Sequence, residues 1–316
     1  MRIFENTNFN IVESRRKAYI FSGVLLLVSL LSFVVRGLEL GIDFKGGKEF
    51  VIESALALDA TDVRAELTPV LGQAPEVKTY SDVSVDGADA LLIRTLDEEE
   101  TTVVQNRITS GMEAAFPGSQ PTVVKTDIVG PRFAEDLKRG SIYAVFGSLF
   151  VIFVYVMIRF EWRFGLGAVA ALFHDVLITL GVFSLLSGLL PFSLQIDQAI
   201  IAAFLTIVGY SLNDTVVIFD RIREFTNLFK TESYNKVVNR SVNTTLSRTI
   251  VTSSTTLLVV VTLFIFGGEV LRGFAFALII GILIGTYSSV FVATPVVVEL
   301  HGRSAAARSV ARRRQR

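Results

Sequence analysis

Six stretches of this chain stay apolar for the length of a membrane crossing, and the long interval after the first of them alternates instead. Ala18–Val35 and Ser141–Ile158 are uncharged runs. Phe164–Leu190 carries His174 and Asp175, and Gln195–Phe219 carries Asp197 and Asp214. Arg248–Phe266 begins on a charge and is dense in hydroxyls, and Phe274–Val298 is again uncharged. A helix needs about 20 mainly apolar residues to cross a hydrocarbon core, so each run is a candidate span.

The interval from Gly37 to Arg139 has short apolar periods bounded by turn residues. Lys48–Ser54, Glu76–Ser81, Ala90–Thr95 and Thr122–Val129 read as strands, and Thr61–Leu71 and Glu98–Phe116 as helices. Asp59 and Asp97 are placed as helix N-caps, and Pro117-Gly118 stops the second helix. The order βαββαβ is that of a ferredoxin-like split βαβ unit. The fold class is therefore an α-helical polytopic membrane protein of six spans with an inserted α+β, ferredoxin-like extracytoplasmic domain.

Charge decides orientation. From Gly37 to Gly130 there are 17 Asp and Glu against 7 Lys and Arg. Basic residues gather elsewhere: Arg15, Arg16 and Lys17; Arg159 and Arg163; Arg221, Arg223, Lys230, Lys236, Arg240 and Arg248; and the tail from Arg303 to Arg316. With six spans, all four groups fall on one side, which the positive-inside rule makes cytoplasmic. Residues 1–17 then form a cytoplasmic N-terminus, 18–35 the first span, 36–140 the extracytoplasmic domain, 141–300 spans two to six, and 301–316 a basic cytoplasmic tail. No small-x-small site follows Val35, so the first span is expected to stay uncleaved. The tail is expected to contact anionic lipid or another protein, not nucleic acid. The chain has no cysteine and two histidines, which excludes Cys-ligated metal and thiol chemistry and argues against a polyhistidine site.

Candidate chemistry follows from the polar residues inside the spans. A carboxylate in an apolar run costs several kcal/mol unless it is paired, hydrated or neutral, so Asp214 is the first functional candidate. Helical spacing puts Tyr210, Asn213, Asp214 and Val217 on one face. In span three, Gly167, Ala171, Asp175 and Thr179 form one stripe whose small residues allow close helix approach. His174 beside it suits a proton path, and a structural histidine fits equally well. In span five, Arg248, Thr252 and Thr255 or Thr256 share a face. These hydroxyls make either a wet, proton-conducting surface or bonds to their own helix. Gly281, Gly285, Ser289 and Ala293 form a packing ridge. The turn that opens the external domain, Gly41-Ile-Asp-Phe-Lys-Gly-Gly47, lacks the Gly-Lys-Ser/Thr ending of a phosphate loop. Its glycines, Gly41, Gly46 and Gly47, read as a tight passage into the first strand, capped by Asp43.

Several separated motifs carry a resemblance. They are Gly41-Ile-Asp-Phe-Lys-Gly-Gly47, Val129-Gly-Pro131, Arg159-Phe-Glu-Trp-Arg163, His174-Asp175, Val208-Gly-Tyr-Ser-Leu-Asn-Asp-Thr215, Asp220-Arg-Ile-Arg-Glu224, Thr245-Leu-Ser-Arg-Thr249 and Phe266-Gly-Gly268. Together, from about Arg36 to Leu300, the chain resembles the SecF family, the smaller subunit of bacterial SecD–SecF export complexes within the resistance–nodulation–division superfamily. Lys45 departs from that pattern, standing where the family more often has a small polar residue. The resemblance implies a non-enzymatic subunit of the inner membrane, without cofactor, using protons as the coupling ion. It implies SecD, the Sec translocon channel and a translocating unfolded polypeptide as partners. By the same resemblance Asp214 and Arg248 match positions of proton coupling, to which Asp175 and His174 are added as candidates. Three rivals are a small-molecule proton antiporter of the same superfamily, an intramembrane aspartyl protease using Asp175 and Asp214, and a purely structural subunit. The protease needs two carboxylates that share a proton, and the Gly-x-Gly-Asp signature expected of it is missing.

Overall fold

A computed structural model describes residues 7–80, 89–190 and 192–302. The basic tail after Gly302, Pro191 and the end of the second predicted strand at Ser81 lie outside them. The first long helix, α1 (Ile11–Val35), leads through a one-turn α2 (Ile42–Lys45) into the external domain. That domain runs β1 (Gly47–Ser54), α3 (Ala60–Leu71), β2 (Glu76–Tyr80), β3 (Asp89–Thr95), α4 (Thr101–Ala115) and β4 (Thr122–Val129). The strands pair antiparallel in the order β2-β3-β1-β4, the split βαβ topology.

Alternation explains the sheet. Phe50 and Ile52 of β1 face Ile93 and Leu91 of β3 across the ladder. Residues two apart share a face, so all four point to one side. Helices α3 and α4 cover that side with Val63, Leu67 and Leu71, and with Val104, Ile108 and Met112, each spaced at four residues. Each such burial contributes about 1.5–3 kcal/mol. Asp59 caps α3, its carboxylate accepting from Thr61 N at 2.7 Å. The expected cap at Asp97 is not there: α4 starts at Thr101 with Glu100 as N-cap, and no side-chain bond closes it. Asp97 instead accepts from Glu99 N at 3.0 Å and from Arg107 at 3.2 Å, which holds the chain in a turn for three more residues.

The far end of α4 is also fastened by a carboxylate. Glu113 accepts from Gly118 N (3.0 Å) and Gln120 N (2.9 Å). These amide bonds favour the ionised form and hold the carboxyl below its ordinary value of 4.5, as the Thr61 amide does for Asp59 below 3.8. For a depressed carboxylate the contribution is complete above the unfolded value and is lost as pH falls through the folded one. Amide exchange protection at Gly118 and Gln120 should therefore be level above pH 4.5 and fall below it. Glu113→Gln should show the low protection at every pH, and a wild type whose protection is equally high in acid would refute the assignment.

Five further helices complete the bundle: α5 (Pro131–Arg159), α6 (Trp162–Leu186), α7 (Gln198–Leu228), α8 (Tyr234–Phe266) and α9 (Gly268–Ser288). After α9 comes one π-helical turn, Ser289–Ala293, and the helix then continues through 294–302. Among the described residues, six helices are long and apolar enough to cross a membrane. Several are longer than their apolar runs, so Arg248 stands in the middle of α8 and not at its start. Likewise, most of the basic interval between spans four and five is helical, and only 229–233 is loop.

The external domain is bolted to the bundle. Gly46 and Gly47 adopt φ of 75° and 108°, and a Cβ on Gly47 would lie 2.6 Å from Thr95 O, so only glycine fits. Asp43, expected to cap its own turn, reaches instead to α7, where its carboxylate accepts from Gln198 N at 2.9 Å. Asp197 accepts from Ile200 N at 2.8 Å, so two carboxylates serve the N-terminal end of α7. Beside them Arg94, 4% exposed, pairs with Glu49 and with Glu76 (3.2 Å) and donates to Gln195 Oε1 at 2.7 Å. Gln195 in turn donates to Glu39 (3.1 Å) and Glu76 (3.2 Å), and Lys78 pairs with Glu39. Sheet, linker and the start of α7 thus share one charge network.

Candidate functional site

Close helix approach comes first, because the groups that meet in the bundle are short. A Cβ on Gly281 of α9 would lie 2.3 Å from the Ile207 side chain of α7, and one on Gly285 3.0 Å from Ser211 Cβ. A Cβ on Gly167 of α6 would lie 2.8 Å from Val297 and 3.0 Å from Ala293 O. The glycine ridge and the α6 stripe therefore pack within this chain. At that spacing a serine on one helix reaches a carboxylate on the next.

Asp175 sits at the centre, 1% exposed. Its Oδ2 accepts from Ser211 of α7 at 2.6 Å and from Ser288 of α9 at 2.8 Å. Its Oδ1 lies 2.9 Å from His174 Nδ1. His174 Nε2 is 3.0 Å from Ser22 Oγ of α1, which is 3.0 Å from the Tyr287 hydroxyl, and Tyr287 donates to Ala18 O at 3.1 Å. Counting donors orders the row. Tyr287 has one proton and gives it to Ala18 O, so Ser22 donates to Tyr287 and accepts from His174 Nε2–H. The tautomer is assigned from this network. His174 then meets Asp175 either as imidazolium against carboxylate or as neutral imidazole accepting from the carboxylic acid. In both cases one proton belongs to the pair.

Asp214 is different in kind. It lies one helical turn from Ser211 on the buried face of α7, with Ile207 and Ile218, and is 1% exposed. Neither carboxyl oxygen has a hydrogen-bond partner among the described residues. Arg248 on α8 acts on it electrostatically from an exposed position. Ser253, which also faces it from α8, bonds to Thr286 of α9 at 2.7 Å. The hydroxyls of Thr249 and Tyr210 are buried without partners among the described residues, so this part of the bundle is polar but unsatisfied there.

The remaining sequence candidates are not brought together. Asn213 is exposed on the opposite side of α7 from the Asp214 cluster. Thr252 is half-buried and Thr255 exposed, and their hydroxyls donate to Arg248 O (2.9 Å) and Val251 O (3.0 Å) of their own helix. Ser22, Ser211, Tyr287 and Ser288 complete the site and were missed as single hydroxyls in apolar runs. Ser22, Ser29 and Ser32 are buried along one side of α1, a spacing that marks a polar stripe. Asp175 and Asp214 make no bond to each other among the described residues, so the dyad an aspartyl protease requires is not assembled.

A six-helix bundle with buried acids and an inserted split βαβ sheet defines an integral membrane protein of the export-associated SecD/SecF class. The family described as "Protein export membrane protein SecD/SecF, C-terminal" matches residues 111–303, and the "SecD/SecF GG Motif" matches residues 31–54, which include Gly46 and Gly47. The chain is 68% identical to a protein translocase subunit SecF of Rhodothermus marinus over 98% of its own length and 99% of the relative's. It is 40% identical to the SecF subunit of Cereibacter sphaeroides, over 94% of this chain and 90% of that one. A crystal structure of SecDF from Thermus thermophilus, a translocon-associated membrane protein, superposes with a TM-score of 0.80 at 34% identity, covering 94% of this chain and 39% of the solved one. The chain belongs to the SecF family of protein translocase subunits. It is a multi-pass inner-membrane protein that serves protein export as an accessory subunit.

Proposed function

We propose that this subunit works with SecD and the Sec translocon channel to convert the proton gradient into outward movement of unfolded polypeptide. The carrying observation is Asp214: a buried carboxyl group with no hydrogen-bond partner among the described residues, on the helix whose outer end is tied to the external domain. A proton arriving there changes the charge of the bundle's least satisfied acid, and helix packings that treat the two charge states differently are shifted by it. Arg248 supplies the opposing charge. His174 and Asp175 hold a second proton in a saturated network one helical turn away. In this reading α7 transmits the change to Asp43, Gln195 and Arg94, and the external domain moves against the translocating chain. The test is export by the reconstituted complex with and without an imposed proton gradient.

The proposed orientation puts both termini and the basic loops in the cytoplasm, with membrane lipid around the spans. Because the chain has no cysteine, single replacements report sidedness directly. Glu98→Cys should be labelled from outside intact cells, and Arg163→Cys and Lys236→Cys only after the membrane is opened. Labelling of Lys236→Cys from outside would overturn the six-span arrangement.

A further inference from the structure

At the end of the bundle opposite the sheet lies a cavity of about 550 Å³ between the start of α6, the end of α7, the start of α8 and the segment 294–302. That volume is within the range of small-molecule sites. Its walls include Arg163, Arg223, Glu161, Tyr234 and His301, and Phe164 contributes an apolar floor. A second cavity, also lined by Arg223, Glu161 and Phe164, adjoins it beside Arg159.

The guanidinium groups here are under-used. Arg163 has a side chain only 11% exposed, yet its Nε is buried with no acceptor among the described residues. Its NH1 donates to His301 Nδ1 at 3.0 Å, and its NH2 stands 3.8 Å from Glu161, whose side chain is 67% exposed. The His301 ring stacks on Tyr234 at 3.8 Å and closes one wall. Arg223 has a long 3.4 Å bond to Arg159 O and no ion pair among the described residues. Arg159 takes Asp220 at 3.4 Å. The cavity thus holds two arginines against one exposed glutamate, and an arginine carries five N–H donors in a planar fork suited to phosphate.

We propose that this cavity binds a phosphate group at the membrane surface, that of an anionic phospholipid headgroup. The apolar floor of Phe164 and the neighbouring Trp162, 48% exposed where an interfacial aromatic belongs, favour a ligand with acyl chains over a free ion. The site lies on the side that the proposed topology makes cytoplasmic, but its binding chemistry does not depend on that topology.

Trp162 is the only tryptophan of the chain, so its fluorescence reports on this place alone. The full chain in phosphatidylcholine nanodiscs is titrated with brominated phosphatidylglycerol, and in a separate arm with inorganic phosphate. Quenching should saturate near one brominated lipid per chain. Arg223→Gln should weaken it roughly tenfold and Arg223→Lys less, because the charge stays and the fork goes. Arg240→Gln, whose partner Glu232 lies outside the cavity, should leave it unchanged. Inorganic phosphate that displaces the lipid confirms that the phosphate itself is read. Saturable binding of phosphate with no saturable lipid binding would replace the headgroup by a free ion. Quenching that rises linearly with lipid fraction, equal in wild type and Arg223→Gln, with no response to phosphate, overturns the site. The experiment reads binding and not sidedness or export, so its failure leaves the proposed function standing.

Discussion

Replacing Asp214 by Asn should remove the response of export to a proton gradient and leave export without a gradient unchanged. The substitution keeps the size and shape of a side chain that makes no hydrogen bond among the described residues, so folding and SecD binding should persist. It takes away the one property the proposal needs, a proton that comes and goes. Coupling of ordinary strength puts the loss of the gradient-dependent component at about tenfold or more. Asp214→Glu keeps a titrating group and should retain part of the response. Arg248→Lys keeps a charge but loses the planar guanidinium, and partial loss is expected. The measurement is export by reconstituted complexes across an imposed gradient. A full response in Asp214→Asn would make this residue structural and move the proton site to Asp175 or to the partner.

The second large effect is on stability. Gly285→Leu drives a branched side chain into the contact between α9 and α7, where even a Cβ would sit 3.0 Å from Ser211 Cβ and 3.6 Å from Asp175 Oδ2. The helices must part, and the bonds from Ser211 and Ser288 to Asp175 stretch with them. Overpacking of this kind costs about 1–3 kcal/mol, an apparent melting temperature lower by about 2–5 °C in a chain of this size. Gly209→Leu on α7 meets open space and is the matched control. SecD should still co-purify with the folded fraction of the Gly285 variant, because the ridge faces inward. Unchanged melting with loss of SecD would show the ridge to be a subunit boundary.

The fold was largely legible because it is written in periods. Alternation at Phe50, Ile52, Leu91 and Ile93 gave the sheet, and six uninterrupted runs gave the spans. The site was legible only where a residue is costly in lipid, at Asp214 and Asp175. The phase of α7 was not, since apolar residues surround it, and nothing in the local pattern tells which side meets α9 and which meets lipid. Asn213 and Asp214 are neighbours in sequence and face different surroundings in the bundle. Nor does a lone hydroxyl announce its partner: Ser22 and Tyr287 meet only through the packing of α1 against α9, 265 residues apart in the chain. The reach of Asp43 to Gln198 escaped for the same reason, as a cap supplied from a distant segment leaves no local spacing.

The π-helical turn at Ser289–Ala293 sets a phase relation. In an uninterrupted α-helix at about 100° per residue, the nine steps from Ser288 to Val297 would put the two side chains on opposite sides. Yet Ser288 bonds Asp175 while Val297 packs on Gly167, and both partners belong to α6. The wider turn absorbs one residue and rotates everything after it back by about 100°, which brings Val297 round toward the same neighbour. The segment that follows carries His301 to the basic cavity. Five residues therefore act as a phase corrector: they let one helix present a hydroxyl to a buried acid inside the bundle and a wall to a basic cavity at its end, each in its own register.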